Sequence, residues 1–490
     1  MTTTAKDNRA AVNNSIALLL SRVVVAAIGW VGSIVIARAL SPEDWGQFSF
    51  VFGLLGLLSI VTDLGVGRVV LARLMDNDEQ EVARVAGSYI ALRLALGLLG
   101  YVVAVGYVTA LGYPGQVIRA TAVAGVVVVL ATPSHALSVL FQSTLRLTVV
   151  AVAETMGQAF QLACTVFAAV FAPQLLIFVL PFVANEVVQI CWKLRAMRRG
   201  HAGPLPHRRA GTSRWRGMLV EAVPLTIGTA LATLLSKVDI LMLSRMDTFN
   251  AVGLYSVGYK FSDALYLISY AVAAPVLTLL VRARAGDADA FRRHARETTL
   301  ALALLAALAV TAFWASAEPL LTLLYGARFA DATFSSRLLV AGSCFSMITY
   351  VGFTVLVAAG RGRLYPLVGV IGLALNVALN LILIPRMSYN GSAVATILTE
   401  FAVMVVIWSL VIRAVPINRL FPLAQVLGLT LATVAIATAS AVLNDVVPWP
   451  VLPPVCVLAT LVAAWVLKLP VLRSAPTFIR TTVATRAKKQ

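Results

Sequence analysis

The stretch from Asn14 to Gly46, NSIALLLSRVVVAAIGWVGSIVIARALSPEDWG, determines the class of fold. Residues 14–37 form an apolar run that contains one charged residue, Arg22. About 20 apolar residues suffice for a helix to cross the hydrocarbon core of a bilayer, so this run predicts a transmembrane helix. It is too long for the core of a signal peptide and no small-residue cleavage site follows it, so we expect the helix to be retained.

Further apolar runs follow, separated by charged or Pro/Gly-rich breaks. Of the 490 residues, 60% are hydrophobic and 12% are charged, and the mean hydropathy is +0.90. A soluble core of this size could not bury so much apolar surface. We therefore predict an all-α polytopic membrane protein with about 14 transmembrane helices. The predicted spans are 14–37, 46–71, 85–110, 117–141, 148–172, 174–192, 218–244, 251–281, 298–323, 335–359, 364–385, 391–412, 423–444 and 451–470.

Positive charges are distributed unevenly between the two sides of this topology. If the N-terminus is cytoplasmic, 28 of the 39 Lys and Arg residues lie on the cytoplasmic side, six lie on the opposite side and five lie inside helices. Because cytoplasmic loops carry the excess of Lys and Arg, this bias predicts that both termini are cytoplasmic. We expect the inner (plasma) membrane of a bacterial cell. Basic loops facing an anionic leaflet also explain most of the net charge of +18, so nucleic acid is not an expected partner.

An internal repeat divides the helices into two sets. Like residues recur at a shift of 207, and further along at a shift of 214 or 215: Arg38 and Arg245, Gly46 and Gly253, Arg146 and Arg361, Glu186 and Glu400. Each set begins on the cytoplasmic side, so the repeats are parallel, and transporter sites tend to lie between such repeats. The prediction is two parallel six-helix lobes plus two extra C-terminal helices. The expected segments are the N-terminal lobe (1–192), a basic cytoplasmic linker (193–217), the C-terminal lobe (218–412), helices 13 and 14 (413–470) and a basic cytoplasmic tail (471–490).

Several short segments carry a family resemblance. They are RALSPEDWG at 38–46, TDLG at 62–65, LLYGARF at 323–329 and GSAVAT at 391–396, together with Asn376 to Asn380 and Glu400. In this order they resemble the polysaccharide transporter (Wzx-type) flippases of the multidrug/oligosaccharidyl-lipid/polysaccharide exporter superfamily. The resemblance implies two lobes that close alternately around a central cavity. It also implies a substrate in which a polyprenyl phosphate or diphosphate carries a sugar, moved from the cytoplasmic to the outer leaflet for cell-envelope polysaccharide or glycolipid assembly.

Basic residues inside the predicted helices are the candidates for binding the substrate's phosphate: Arg22, Arg68, Lys237 and Lys260. An ionisable residue at a helix centre costs about 2.5–3.5 kcal/mol to insert, so it usually faces a partner, the bundle interior or water. Three of these residues have an alternative role. Arg22 could extend to the cytoplasmic face, Arg68 could pair with Asp63, five residues earlier, and Lys260 could be neutralised by Asp263 on the same helix face.

Acidic and amide residues are the candidates for ion coupling or for a polar cavity wall: Asp63, Glu154, Asp239, Asp263 and Asn376. Glu154, Gln158 and Gln161 form a stripe along one helix face, as do Asn376 and Asn380. Such stripes can line a hydrated path, but amides also join helices through hydrogen bonds. We favour helix joining for the amides.

The chain contains no Walker loop, nucleophile triad, metal cluster or dinucleotide fingerprint, so we expect a transporter without cofactors rather than an enzyme. A glycosyltransferase or ligase would need a larger external loop. The remaining alternatives are a cation-coupled multidrug antiporter of the same superfamily and a non-transporting membrane scaffold. Expected partners are the sugar lipid, membrane lipids, and glycosyltransferases or a polymerase of the same pathway.

Overall fold

A computed structural model describes residues 2–76, 79–200, 211–284, 286–444 and 446–470. Within these ranges the regular structure is α-helix with three short 3₁₀ segments. The predicted tail (471–490) and residues 201–210 of the predicted linker lie outside the described residues. The helices are α1 (Thr2–Ala39), α2 (Pro42–Asp63), α3 (Val66–Asp76), α4 (Glu79–Ala110), α5 (Gly115–Ser143), α6 (Leu147–Phe171), α7 (Leu175–Arg198), α8 (Trp215–Met246), α9 (Phe249–Arg284), α10 (Ala288–Tyr325), α11 (Thr333–Ala358), α12 (Tyr365–Ala414), α13 (Leu423–Leu443) and α14 (Leu452–Val466).

The length and composition of these helices make the chain a multi-pass membrane protein. Eleven helical segments among the described residues are long and apolar enough to cross a membrane. The number fourteen stays a prediction, because α14 is shorter than these segments and α12 is a single helical element. The all-α class is confirmed.

At two places the helix boundaries in the structure differ from those predicted from the sequence. The predicted link at 386–390 falls on a kink inside α12, where Ser388 has a φ of 54° and a ψ of −141°. The predicted second helix (46–71) is interrupted, because Leu64 and Gly65 adopt left-handed conformations with φ of 44° and 63°. The apolar run continues through this break, so the sequence pattern did not locate it. Residues after 65 therefore follow a new direction, as α3.

The repeat is visible in the residues that cap the N-termini of two helices. Ser41 caps α2 by accepting a hydrogen bond from the backbone N–H of Asp44 at 3.0 Å, and Pro42 fits the first helical position. Thr248 is related to Ser41 by the first repeat shift, and it caps α9 in the same way by accepting from Ala251 at 3.2 Å. The two helices thus begin at equivalent positions of the two repeats.

The second shift is also visible at helix ends. At the end of α5, the N–H of Arg146 donates to the carbonyl five residues earlier at 2.8 Å, and Leu145 is left-handed with a φ of 56°. At the end of α11, Arg361 makes the same bond at 2.8 Å, and Gly360 has a φ of 72°. Both ends are Schellman motifs, and the second repeat shift relates them. Equivalent termination supports the repeat independently of apolar composition.

The chain forms two compact units, Met1–Gly253 and Leu254–Gln490. In the first unit α1 packs on α6, α4 packs on α5, and α2 lies against α4, α5 and α8. In the second unit α10 is central and packs against α11, α13 and α14, while α11 packs on α12. Helix α8, which the sequence placed in the C-terminal lobe, belongs to the first compact unit.

Candidate functional site

Arg22 is exposed, and it is the one charged residue in the apolar part of α1, residues 14–37. The preceding residue, Ser21, is buried against α6, where its hydroxyl donates to the carbonyl of Ala151 at 3.2 Å and lies 3.1 Å from the hydroxyl of Thr155. Successive residues of a helix point about 100° apart, so Arg22 projects away from this packed face. The structure thus leaves its guanidinium accessible.

Asp63 pairs with Arg93 instead of Arg68. The Nη1 atom of Arg93 lies 2.6 Å from Oδ1 of Asp63, and the same atom donates to the carbonyl of Thr62 at 2.8 Å. The side chain of Arg93 is 2% exposed, whereas that of Asp63 is 60% exposed. Arg93 therefore satisfies a carbonyl freed at the end of α2, since α3 begins after the break. The helical spacing assumed for Asp63 and Arg68 was wrong because the helix ends between them.

Arg68 is exposed on α3, the helix that begins just after the end of α2 to which Arg93 bonds. Further along α3, Arg73 forms a 2.6 Å ion pair with Glu221 of α8. Both partners of that pair are partly or largely exposed. The cations of α3 thus differ in role: Arg73 joins two helices, whereas Arg68 presents its charge outward.

A buried lysine lies among polar groups of α5 and α7. The ammonium of Lys193 donates to the carbonyl of Ser134 at 3.3 Å, to its hydroxyl at 2.9 Å, and to Oε1 of Gln189 at 3.1 Å. Its side chain is 0% exposed, and Glu186 and Glu154 are its charged neighbours. Three neutral acceptors use all three N–H donors of the ammonium, while the carboxylates supply longer-range compensation. Glu154 thus belongs to the surroundings of a buried cation.

The amide stripe of α6 continues from this lysine. Gln189 donates to Oδ1 of Asn185 at 2.9 Å, and Asn185 donates to Oε1 of Gln161 at 2.7 Å. The chain of bonds links α5, α7 and α6 through side chains. These bonds agree with the role of helix joining that we favoured for the amides.

The remaining candidates lie on α8, α9 and α12. Asp239 is buried and Lys237 is half-buried, both within the first unit. Lys260 and Asp263 are half-buried in the second unit, three residues apart on α9.

On α12, Asn376 is buried. It accepts a hydrogen bond at its Oδ1 from Asn380 at 3.0 Å. This bond joins two residues of the same helix, one turn apart on the predicted polar stripe.

A second polar group in the second unit includes Glu400. The hydroxyl of Tyr266 donates to Oε1 of Glu400 at 2.9 Å and lies 2.8 Å from the hydroxyl of Ser346. This group joins α9, α11 and α12. Glu186 and Glu400, at matching repeat positions, thus both lie in polar clusters that connect helices.

Near the start of α2, two glycines permit backbone contact. A Cβ atom on Gly46 would overlap the carbonyl oxygen of Phe249, and a Cβ on Gly253 would overlap the carbonyl oxygen of Pro42. Pro42 and Phe249 are themselves related by the first repeat shift, so the contact is reciprocal between the repeats. Glycine is required at both positions because no side-chain atom fits there.

A tyrosine beside this contact adds a polar bond. The hydroxyl of Tyr113 lies 3.0 Å from that of Ser244, and the guanidinium carbon of Arg245 lies 5.3 Å from the ring centre. Burial raises the pKa of Tyr113 to about 12, so the hydroxyl is protonated at neutral pH. The link after α4 is thereby fixed to the end of α8.

Sequence reasoning missed Arg93 and Lys193 as buried cations. Arg93 was not among the candidates drawn from the sequence, and Lys193 was placed at the start of the linker, although α7 continues to Arg198. One signal was available for Arg93: it lies in an apolar stretch with Asp63 in a neighbouring predicted helix. For Lys193 the polar residues Gln189 and Asn185 at i−4 and i−8 were the available signal.

Comparisons with known proteins agree with this architecture. The structure resembles that of the lipid II flippase MurJ in an inward closed conformation, with a TM-score of 0.69, 14% identity, and coverage of 94% of this chain and 99% of that chain. It also resembles an inward-facing multidrug resistance MATE family transporter of the MOP superfamily, with a TM-score of 0.65, 13% identity, and coverage of 81% and 96%. A MOP superfamily transporter from Pyrococcus furiosus gives a TM-score of 0.58, 14% identity, and coverage of 84% and 96%.

These likenesses establish the fold. No curated protein sequence matches the chain. A family model described as "Polysaccharide biosynthesis protein" matches residues 11–279, which is more than half of the 490 residues. The chain therefore belongs to the polysaccharide biosynthesis protein family.

Proposed function

We propose that the protein is a flippase that moves a polyprenyl (di)phosphate-linked sugar or oligosaccharide from the cytoplasmic to the outer leaflet by alternating access. The observation that carries this proposal is the extent of the structural likeness. The match to the lipid II flippase covers 94% of this chain. The uncovered remainder is shorter than the segment from Leu423 to Val466, so the match includes part of α13 or α14. The matches to MATE transporters cover 81% to 86% of the chain.

The exposed arginines supply the chemistry that this substrate needs. A lipid (di)phosphate that enters a protein cavity loses hydration, and a guanidinium replaces it with a planar fork of donors matched to phosphate oxygens. Arg22 and Arg68 are both exposed, so both can meet a ligand without breaking an internal pair. We assign the phosphate to these two residues, with Lys237 and Lys260 as additional cations.

The acidic and amide candidates are assigned to helix packing or to ion coupling rather than to phosphate binding. Glu154 compensates the buried ammonium of Lys193, and Asn376 joins residues of α12, so both act in the packed lobes. Asp63, although paired with Arg93, keeps a largely exposed carboxylate and can contact water. We propose Asp63, Asp239 and Asp263 as the groups that any coupling ion would meet.

The orientation follows from the charge bias. Both termini and the basic segment that follows α7, within the predicted linker 193–217, are proposed to be cytoplasmic, in the inner membrane of a bacterium, with lobes at 1–192 and 218–412. Transport then runs outward, from the leaflet in which the sugar lipid is synthesised. Glycosyltransferases or a polymerase of the same pathway would supply the substrate and use the product.

Ligand-induced stabilisation tests the substrate class. A ligand at 100 times its Kd raises the free energy of unfolding by about 2.7 kcal/mol. A polyprenyl diphosphate sugar should therefore raise the melting temperature of the purified protein, and a cationic drug should not. Arg22→Ala should weaken the sugar-lipid effect, whereas the control Arg119→Ala, which removes another exposed arginine, should not.

The outcomes separate the alternatives. Stabilisation by the cationic drug alone would favour the multidrug antiporter. Stabilisation by neither ligand would favour a membrane scaffold. An equal response of Arg22→Ala and wild type to the sugar lipid would remove Arg22 from the phosphate site without removing the flippase function.

A further inference from the structure

An apolar cavity of about 250 Å³ lies in the second compact unit. Helix α10 forms its floor, where the small side chains of Ala303, Ala306 and Ala307 leave space for the cavity. Its walls come mainly from α11 and α13, and one wall residue, Val434 of α13, is 55% exposed. Because the cavity is apolar and Val434 is exposed on a helix that can cross a membrane, the natural occupant is a hydrocarbon chain rather than water.

A second cavity, of about 360 Å³, lies at the beginning of the same two helices. It is lined by Arg292, Arg293 and Arg296 of α10 and by Gln425 of α13. Arg296 is held in place, since its Nη1 donates to the carbonyl of Arg419 at 2.8 Å and its Nη2 donates to Oε1 of Gln425 at 3.3 Å. A positioned guanidinium loses little conformational freedom on binding an anion.

Carboxylates also belong to this basic cavity. Asp289 accepts from Arg292 at 2.5 Å, so that pair is internally neutral. Glu297 lines the cavity and is exposed. The charges that are left are the two positive charges of Arg293 and Arg296 and the one negative charge of Glu297. The site therefore keeps a net positive charge, and it lies on the side that we propose to be cytoplasmic.

The two cavities are adjacent along both helices. Leu300 lines the basic cavity and Ala303, one turn later on α10, lines the apolar one. On α13, Gln425 lines the basic cavity and the next residue, Val426, lines the apolar one. The basic cavity thus lies next to the apolar cavity, and this arrangement matches the polarity of a single amphiphile.

The length of the groove identifies the class of amphiphile. From Ala303 to Trp314 the apolar lining of α10 extends for about 16 Å at a rise of about 1.5 Å per residue. This is about half of the roughly 30 Å hydrocarbon thickness of a bilayer, hence the depth of one leaflet. An acyl chain of one leaflet fits this length.

We propose that α10 and α13 hold one anionic phospholipid of the inner leaflet as a resident ligand. Its phosphate contacts Arg293 and Arg296, and one acyl chain fills the groove over Ala306. This lipid is distinct from the transported substrate, and its binding does not depend on the proposed flippase function. It stabilises the contact of the two C-terminal helices with the rest of the second unit.

Native mass spectrometry of the full-length protein in detergent tests the proposal. The probes are phosphatidylglycerol, zwitterionic phosphatidylcholine and polyprenyl phosphate, each added in equal amount. Phosphatidylglycerol should remain bound as one molecule, at least tenfold more tightly than phosphatidylcholine. Arg293→Gln, at an exposed position, should remove this preference, and Val434→Trp should block the groove. Arg413→Gln, an exposed arginine that lines neither cavity, is the matched control and should bind as wild type.

Three results would overturn the proposal. Equal retention of the two phospholipids would exclude recognition of the headgroup. Unchanged retention in both Arg293→Gln and Val434→Trp would place the lipid elsewhere. Displacement of phosphatidylglycerol by an equal amount of polyprenyl phosphate would make the groove part of the substrate path, which leaves the flippase function intact and removes the resident lipid.

Discussion

Gly46→Ala should destabilise the first compact unit, because the added methyl group overlaps the carbonyl oxygen of Phe249. A backbone carbonyl cannot rotate aside as a flexible side chain can, so α2 must move away from the start of α9. Overpacking of this kind costs about 1–3 kcal/mol. Against this, alanine gains about 1 kcal/mol over glycine in a helix interior.

Gly56→Ala is the matched control. Gly56 lies on the same helix, and a Cβ there would meet no atom within 4 Å. The helix-propensity gain is the same in both variants, so it cancels when they are compared. The free energies of unfolding should therefore differ by about 1–3 kcal/mol, with Gly46→Ala the less stable. For a cooperative unit of about 250 residues this corresponds to roughly 2–4 °C in melting temperature per kcal/mol.

The reciprocal glycine extends the test. Gly253→Ala should destabilise by a similar amount, since it overlaps the carbonyl of Pro42. The double variant should cost less than the sum of the single variants, because the first methyl group already separates the two helices. Thermal unfolding followed by circular dichroism in one detergent supplies all four values. Equal melting temperatures for Gly46→Ala and Gly56→Ala would refute the backbone contact.

Three further variants test the buried polar groups. Arg93→Met should lower the free energy of unfolding by about 2–3 kcal/mol, because buried carbonyls lose a charged donor, whereas Arg84→Met at an exposed position should change it by less than about 0.5 kcal/mol. Lys193→Met should cost about 2–4 kcal/mol by leaving three acceptors and two nearby carboxylates without their cation, and Arg198→Met, exposed at the end of α7, should be near neutral. Tyr113→Phe should cost about 1 kcal/mol for its hydroxyl bond, with no pH dependence below about pH 9. Burial raises the pKa of Tyr113 from 10.0 to about 12, so its contribution is complete below pH 10 and is lost as the pH rises towards 12. Thermal melts across pH check each expectation, and a Lys193→Met melt equal to that of its control would contradict the assigned buried cluster.

The membrane class and the repeat were predictable because they depend on local pattern. Long apolar runs require helices in lipid, whatever their partners are. The offsets of 207 and 215 were read from a few like residues, and the structure places capping residues and left-handed turns at the same offsets. The break at Leu64 was not predictable from hydropathy, since Leu64 continues the apolar run and only Gly65 favours a left-handed conformation.

The partners of the charged residues were harder to predict from the sequence. Arg93 is buried because Thr62 and Thr132, on two other helices, offer carbonyl oxygens to its guanidinium. Such contacts depend on which helices are neighbours, and apolar helices of similar composition do not specify this. The exposed position of Arg22 has a local cause, because its neighbour Ser21 determines which face of α1 packs on α6.

A flipping assay in proteoliposomes measures the proposed transport itself. The protein is reconstituted with a fluorescent polyprenyl diphosphate sugar, and the label accessible to a membrane-impermeant quencher is followed in wild type, Arg22→Ala and the control Arg119→Ala. We expect rapid exchange between leaflets with wild type and Arg119→Ala, and much slower exchange with Arg22→Ala. Exchange no faster than in protein-free liposomes, in a preparation shown by its thermal melt to be folded, would contradict the flippase function.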